Sequence, residues 1–168
     1  MLLFFMAEMT ASAEACNPEN INTHHMSYTV YVCDELARKG AEYAVSWWKK
    51  QGQSLTLADG VSDCPDIFPE TGKIFIEFNN DEVSKINVEG GTPQASTTRR
   101  HEFLGTTVES AKVFLSTELQ SRPEDMIVFI THEIGHAVGY AHVNEDCNNH
   151  IMHPFLNEMM GGLSFQNF

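Results

Sequence analysis

The twelve residues from Thr131 to His142, THEIGHAVGYAH, constrain this chain more than any other stretch. Three of the chain's eight histidines fall there, together with Glu133 and two glycines. His132 and His136 stand four residues apart, so on a helix they point the same way, one turn apart. Two imidazoles so placed can share one zinc ion at about 2.1 Å each. Glu133 would lie beside that ion but off the ligand face, where it can accept a proton. His142 is the third candidate ligand. Continued helix would carry it about 15 Å along the axis from His132, beyond any shared metal. The helix therefore has to break and fold back, and Gly139 is where it can, because glycine accepts positive φ without a Cβ clash. Three histidine ligands leave one zinc position open, which marks a catalytic rather than a structural site.

The remaining segments set that stretch in an order. Ser27 to Cys33, rich in β-branched and aromatic residues, reads as a strand. Asp34 to Gln51 opens on an acidic cap and ends in lysines before Gly52; Leu36, Ala37, Ala41, Ala44, Val45 and Trp48 recur at helical steps along it. Of the adjacent Trp47 and Trp48, one is expected in the core and the other partly exposed. Ser54 to Asp59 and Lys73 to Asn80 alternate as strands do, with a turn-rich loop between them. The polar segment that contains Gln94 to Phe103 reads as a loop or an edge strand, and Ser110 to Thr117 as a further strand. Arg122 to Gly139 is the second long helix, with Pro123, Glu124 and Asp125 in the first turn, where such residues are favoured. No internal repeat or linker divides the chain, so residues 16–168 are expected to form one domain.

The motif His132-Glu133-Ile134-Gly135-His136-Ala137-Val138-Gly139-Tyr140-Ala141-His142 has the form HExxHxxGxxH, and Met152 follows ten residues later in NHIMHP. This combination resembles the metzincin zinc peptidases. The short spacing to Met152 and the IMHP ending look most like the matrixins, the matrix-metalloprotease-like branch that includes small bacterial members. The resemblance implies an α/β (α+β) fold, a twisted mixed sheet with two main helices and a zinc cleft beneath an edge strand. It also implies that Met152, in a tight turn, forms a hydrophobic floor under the metal. The specific motif content is confined to residues 132–154. Val143 stands where matrixins usually have Ser or Thr, and His153 where they usually have Tyr. A cysteine-switch propeptide and the second, structural zinc motif are not recognisable, and the 14 residues after Pro154 leave the usual C-terminal helix short or missing. His150 and His153, which flank Met152, read as exposed loop residues; so do His24, His25 and His101.

Composition narrows the partners. Ten Lys and Arg against 23 Asp and Glu give a net charge of −13, which disfavours nucleic acid because phosphate binding needs clustered cations. No stretch approaches the roughly 20 apolar residues that span a bilayer. Cys16, Cys33, Cys64 and Cys147 are too widely spaced for a CxxC motif and fit two disulfides in an oxidising compartment, with three pairings open. Residues 1–15 read as an atypical signal peptide: the apolar run Leu2 to Ala7 is short and unpreceded by Lys or Arg, and Ala13-Glu14-Ala15 resembles a cleavage site. The expectation is a secreted or periplasmic monomeric zinc endopeptidase acting on protein or peptide substrates. His132, His136 and His142 would be ligands to one Zn²⁺, with Glu133 the general base. The alternative is a noncatalytic, zinc-stabilised peptide-binding module. Calcium has no motif: the oxygen-bearing stretches 79–82 and 144–146 read equally as solvated loops.

Overall fold

The computed structural model describes residues 16–85, 92–147 and 150–154. The expected signal peptide, 1–15, and the short C-terminal tail, 155–168, lie outside the described residues.

Five strands form one mixed sheet: β1 (Ser27–Val32), β2 (Ser54–Val61), β3 (Lys73–Phe78), β4 (Ala95–His101) and β5 (Val108–Leu115), in the order β2-β1-β3-β5-β4. β1 pairs in parallel with β2 and β3, and β3 with β5. β4 and β5 are antiparallel, because residues 102–107 are too few for a crossover and can only make a hairpin. β4 thus lies at one edge of the sheet. Alternation in β1 sends Tyr28, Val30 and Val32 into the core, whereas the interior strand β5 is buried along nearly its whole length.

Helices α1 (Arg38–Lys50) and α3 (Pro123–Ala137) pack against each other on one face of the sheet, α1 beside β1 and β2, α3 beside β4 and β5. Their approach is close at Gly40, where an added Cβ would lie 2.5 Å from Ile130 Cδ1. Trp48 is buried on α1 and its indole Nε1 donates to Thr131 O at 2.7 Å, while Trp47 is half-buried. The turn-rich segment after β2 covers the opposite face: Ser110 Oγ donates to Pro69 O at 3.0 Å, and Lys112 Nζ reaches Pro65 O. Cys33 is bonded to Cys64 in that segment and Cys16 to Cys147, which selects one of the three pairings.

Several expectations are corrected. Residues 35–37 form a 3-10 turn and not the first turn of α1, so Leu36 leaves the apolar face and is 52% exposed. Asn79 and Asn80 do not extend β3. Asn79 caps a four-residue helix, α2 (Asn80–Val83), through its side chain, and Asn80 bonds Thr117. A second 3-10 turn, Thr117–Ser121, precedes α3. His24, His25 and His101 are exposed, as expected.

Candidate metal centre and cleft

The three histidines converge. His136 Nε2 lies 3.0 Å from both His132 Nε2 and His142 Nε2, and the remaining pair is 3.2 Å apart. His132 and His136 project from one face of α3, as their four-residue spacing requires. His142 arrives because α3 stops at Ala137 and Gly139 takes φ +98°, turning the chain back along the helix end. Tyr140 N then donates to Gly135 O at 2.9 Å and closes the turn.

The tautomers follow from the carbonyls around the ring. His132 Nδ1 donates to Ile151 O at 2.7 Å and His136 Nδ1 to Tyr140 O at 2.8 Å; a carbonyl only accepts, so both Nδ1 atoms carry the proton. Burial holds these imidazoles neutral, His132 well below its ordinary range and His136 down to about 4. Two Nε2 lone pairs therefore face each other at 3.0 Å with no proton to share. Such an arrangement is repulsive unless a cation sits among them. Ligands about 2.1 Å from a tetrahedral ion stand about 3.4 Å apart, close to the observed triangle. The donor set fits a metal ion, with backbone carbonyls orienting two of the three rings as outer partners do in metal sites. His132 is buried and His142 exposed, so the cluster opens to solvent on one side. Among the described residues this is the one group of three or more His, Cys, Asp or Glu side chains that could share an ion.

Met152 lies beneath. It is wholly buried, within a turn closed by His153 N donating to His150 O at 3.0 Å. A Cβ on Gly135, between the two helical ligands, would strike Met152 Sδ and would lie 2.5 Å from Trp48 Cζ2. Methionine and tryptophan thus meet under the helix at the one position without a side chain. Val143 N donates to Met152 O at 3.0 Å and joins the His142 loop to this turn. The flanking histidines are not the exposed loop residues expected: His153 is 4% exposed with Nε2 on Glu145 O at 2.9 Å, and half-buried His150 accepts from Met152 N through Nδ1.

Glu133 is buried beside the cluster. Thr97 Oγ1, from β4, donates to Glu133 Oε2 at 2.5 Å and also lies 3.1 Å from Glu133 O. Burial pushes the carboxyl up to about 7, against the opposing pull of the Thr97 hydroxyl and the Arg99 charge. A cleft of about 490 Å³ runs between α3 and β4, lined by Pro93 to Thr97, Arg99, Phe129, Glu133 and all three histidines.

Residues far away in sequence hold this geometry. Ile21 N donates to Gly139 O at 2.9 Å and Ala141 N to Glu19 O at 2.8 Å, an antiparallel bridge that fastens the N-terminal segment to the His142 loop. Asn22 Nδ2 donates to Val138 O at 3.1 Å while its Oδ1 accepts from Val108 N at 2.8 Å. Tyr140 stacks on Trp48 with ring centroids 4.7 Å apart, and its hydroxyl accepts from Gln53 at 2.8 Å. Thr97, Asn22 and Trp48 were not legible as site residues, since none belongs to a motif; Tyr140 stands at an unspecified position of the histidine motif, and Arg99 was readable only as one of an adjacent basic pair with Arg100.

In comparisons with known proteins, no family model and no curated sequence matches this chain.

Proposed function

We propose that this chain is a secreted zinc-dependent endopeptidase in which His132, His136 and His142 hold the metal and Glu133 is the general base. The observation that carries the reading is the convergence of three neutral imidazole Nε2 atoms next to a buried carboxyl group, in a cleft bounded by an edge strand. The HExxHxxGxxH pattern with its methionine turn, which resembles that of the matrixins, supports the same reading. Imidazole ligands suit several transition metals, and three of them with an open side favour catalytic zinc. Zinc held there would act as a Lewis acid, lowering the pKa of water toward about 7 and polarising the scissile carbonyl.

The chain's own residues supply the rest. Thr97 holds Glu133 Oε2, which leaves Oε1 to take a proton from the attacking water and return it to the leaving amine. A peptide can add to the open edge of β4 as a further strand, its backbone giving affinity and alternate side chains giving selectivity. Two disulfides are compatible with an oxidising compartment, and no helix among the described residues is long and apolar enough to cross a membrane.

The test is a paired measurement of zinc content and peptide hydrolysis. Glu133→Gln should keep one zinc per chain while kcat falls at least about 10²-fold. His142→Ala should lose zinc at low free metal and lose activity with it. One tightly held zinc without hydrolysis of casein or a peptide library would replace the enzyme with a peptide-binding module.

A further inference from the structure

Alternation along β4 separates two adjacent arginines. Arg100 is engaged away from the cleft: its Nε lies 3.3 Å from Glu109 Oε2 and its Nη2 donates to Thr71 Oγ1 at 3.2 Å. Its neighbour Thr98 lines a different hollow, with Phe68, Glu77 and Lys112. Thr97 and Arg99 instead line the cleft with the histidines and Glu133. Arg99 takes part in none of the ion pairs among the described residues. The carboxylate nearest in kind, Glu133, is taken by Thr97. A half-buried guanidinium that makes no hydrogen bond or ion pair among the described residues, its charge acting on Glu133 only at longer range, is an anomaly in a chain of net charge −13, where acidic side chains outnumber basic ones more than two to one. Its planar set of donors is shaped for a carboxylate.

Position gives the register. Thr97 contacts the proposed base, and Arg99 follows on the same face two residues on, about 6.4–6.8 Å along the strand. An extended peptide laid against β4 repeats with the same two-residue spacing. Resting on the peptidase reading above, we propose that Arg99 is a specificity residue that binds a substrate carboxylate about two residues from the cleaved bond. That carboxylate has two sources, an Asp or Glu side chain within a longer chain or the free C-terminus of a short peptide.

The experiment uses the zinc-loaded whole chain and matched fluorogenic peptides. One series has blocked ends and Glu or Gln two residues to either side of the cleaved bond. The other is neutral and ends two residues beyond that bond as free acid or amide. The wild type should prefer one carboxylate-bearing partner by about tenfold or more in kcat/KM. Arg99→Gln should bring that ratio close to one, and Arg100→Gln should preserve it. Which series shows the preference identifies the source. A ratio near one in the wild type, or one that survives Arg99→Gln in a protein of unchanged circular dichroism, overturns the proposal. The same peptides are titrated calorimetrically onto the Glu133→Gln protein, in which turnover should be at least about 10²-fold slower. An Arg99-dependent preference there, with no turnover by the wild type, supports the carboxylate site and rejects the peptidase reading; turnover without preference does the reverse.

Discussion

Replacing Gly139 with alanine should cost about 3–4 kcal/mol of stability and misplace the third histidine. The backbone there is at φ +98°, which an L side chain adopts at roughly 1–2 kcal/mol. The new Cβ would also lie 2.6 Å from Asn22 Oδ1 and 2.8 Å from Asn20 Oδ1, closer than a carbon tolerates. Asn22 would have to move, forfeiting the bonds its side chain makes to Val108 N and Val138 O, each worth about 1 kcal/mol net. The sum is the figure above, read by urea unfolding of the metal-free protein. Zinc affinity, read by competition with a chelator, should fall at least about tenfold, because the segment that presents His142 begins at this residue. A double-mutant cycle isolates the cause. In an Asn22→Ala background the Asn22 contact is gone and its two bonds are already lost, so Gly139→Ala should cost about 2 kcal/mol less, leaving the backbone part and the remaining contact with Asn20 Oδ1. A cost below about 1 kcal/mol in the wild-type background, or an undiminished cost in the Asn22→Ala background, would refute this account.

The two disulfides close loops of very different length, 131 and 31 residues, so chain entropy predicts losses of about 5 kcal/mol for Cys16→Ala/Cys147→Ala and about 4 kcal/mol for Cys33→Ala/Cys64→Ala. Only the first pair anchors the segment bridged to the His142 loop, so zinc retention at low free metal should drop in that variant and not in the other. Thr97→Val removes the donor to Glu133 Oε2 and should lower kcat roughly 10- to 100-fold with zinc content unchanged; an unaltered kcat would show that the hydroxyl does not orient the base. Burial raises the Tyr28 phenol from its ordinary 10 to about 12. The folded state keeps that proton where the unfolded chain loses it, so stability should be level below pH 10 and decline between pH 10 and 12, by at most about 2–3 kcal/mol. Tyr28→Phe should flatten that alkaline decline in urea unfolding series.

What could be read from the sequence was what is local. Both long helices, four of the five strand regions and the break at Gly139 follow from periodicity, turn residues and the reach of a helix. The edge position of Ala95–His101 was legible as one of two options, because a polar strand stays soluble only where it is not sandwiched. Boundaries failed where side chains compete with the backbone. Asp34 accepts from Leu36 N and starts a 3-10 turn, which removes Leu36 from the helix stripe; Asn79 accepts from Glu82 N and ends β3. The burial of His153 was hidden because its partner is a backbone carbonyl, that of Glu145, and carbonyls leave no trace in residue type. Nor does sequence say which of two neighbouring arginines faces the cleft, since the phase of a strand is set by its register, here Arg99 opposite Ala111 and Arg100 opposite Ser110.

The same division between local and distant runs through the histidine cluster. His132 and His136 need only one turn of helix, and Gly135 between them leaves room for Trp48 from α1 and Met152 from the turn below. His142 needs far more: Gly139 at positive φ, Asn20 and Asn22 packed against it, a bridge to residues 19–21, and a disulfide from Cys16. A free twelve-residue peptide carrying all three histidines would keep Gly139 but none of the partners that hold it, and at that length its helix is marginal in water. The placement of the third histidine is therefore a product of tertiary structure, and an ion that binds all three imidazoles would bind the folded state in preference to the unfolded one. Its free energy adds to stability as RT ln(1 + [metal]/Kd), about 4 kcal/mol at a thousandfold excess over Kd. The N-terminal segment, which no motif singles out, thereby couples the chemistry of the cleft to the stability of the whole chain.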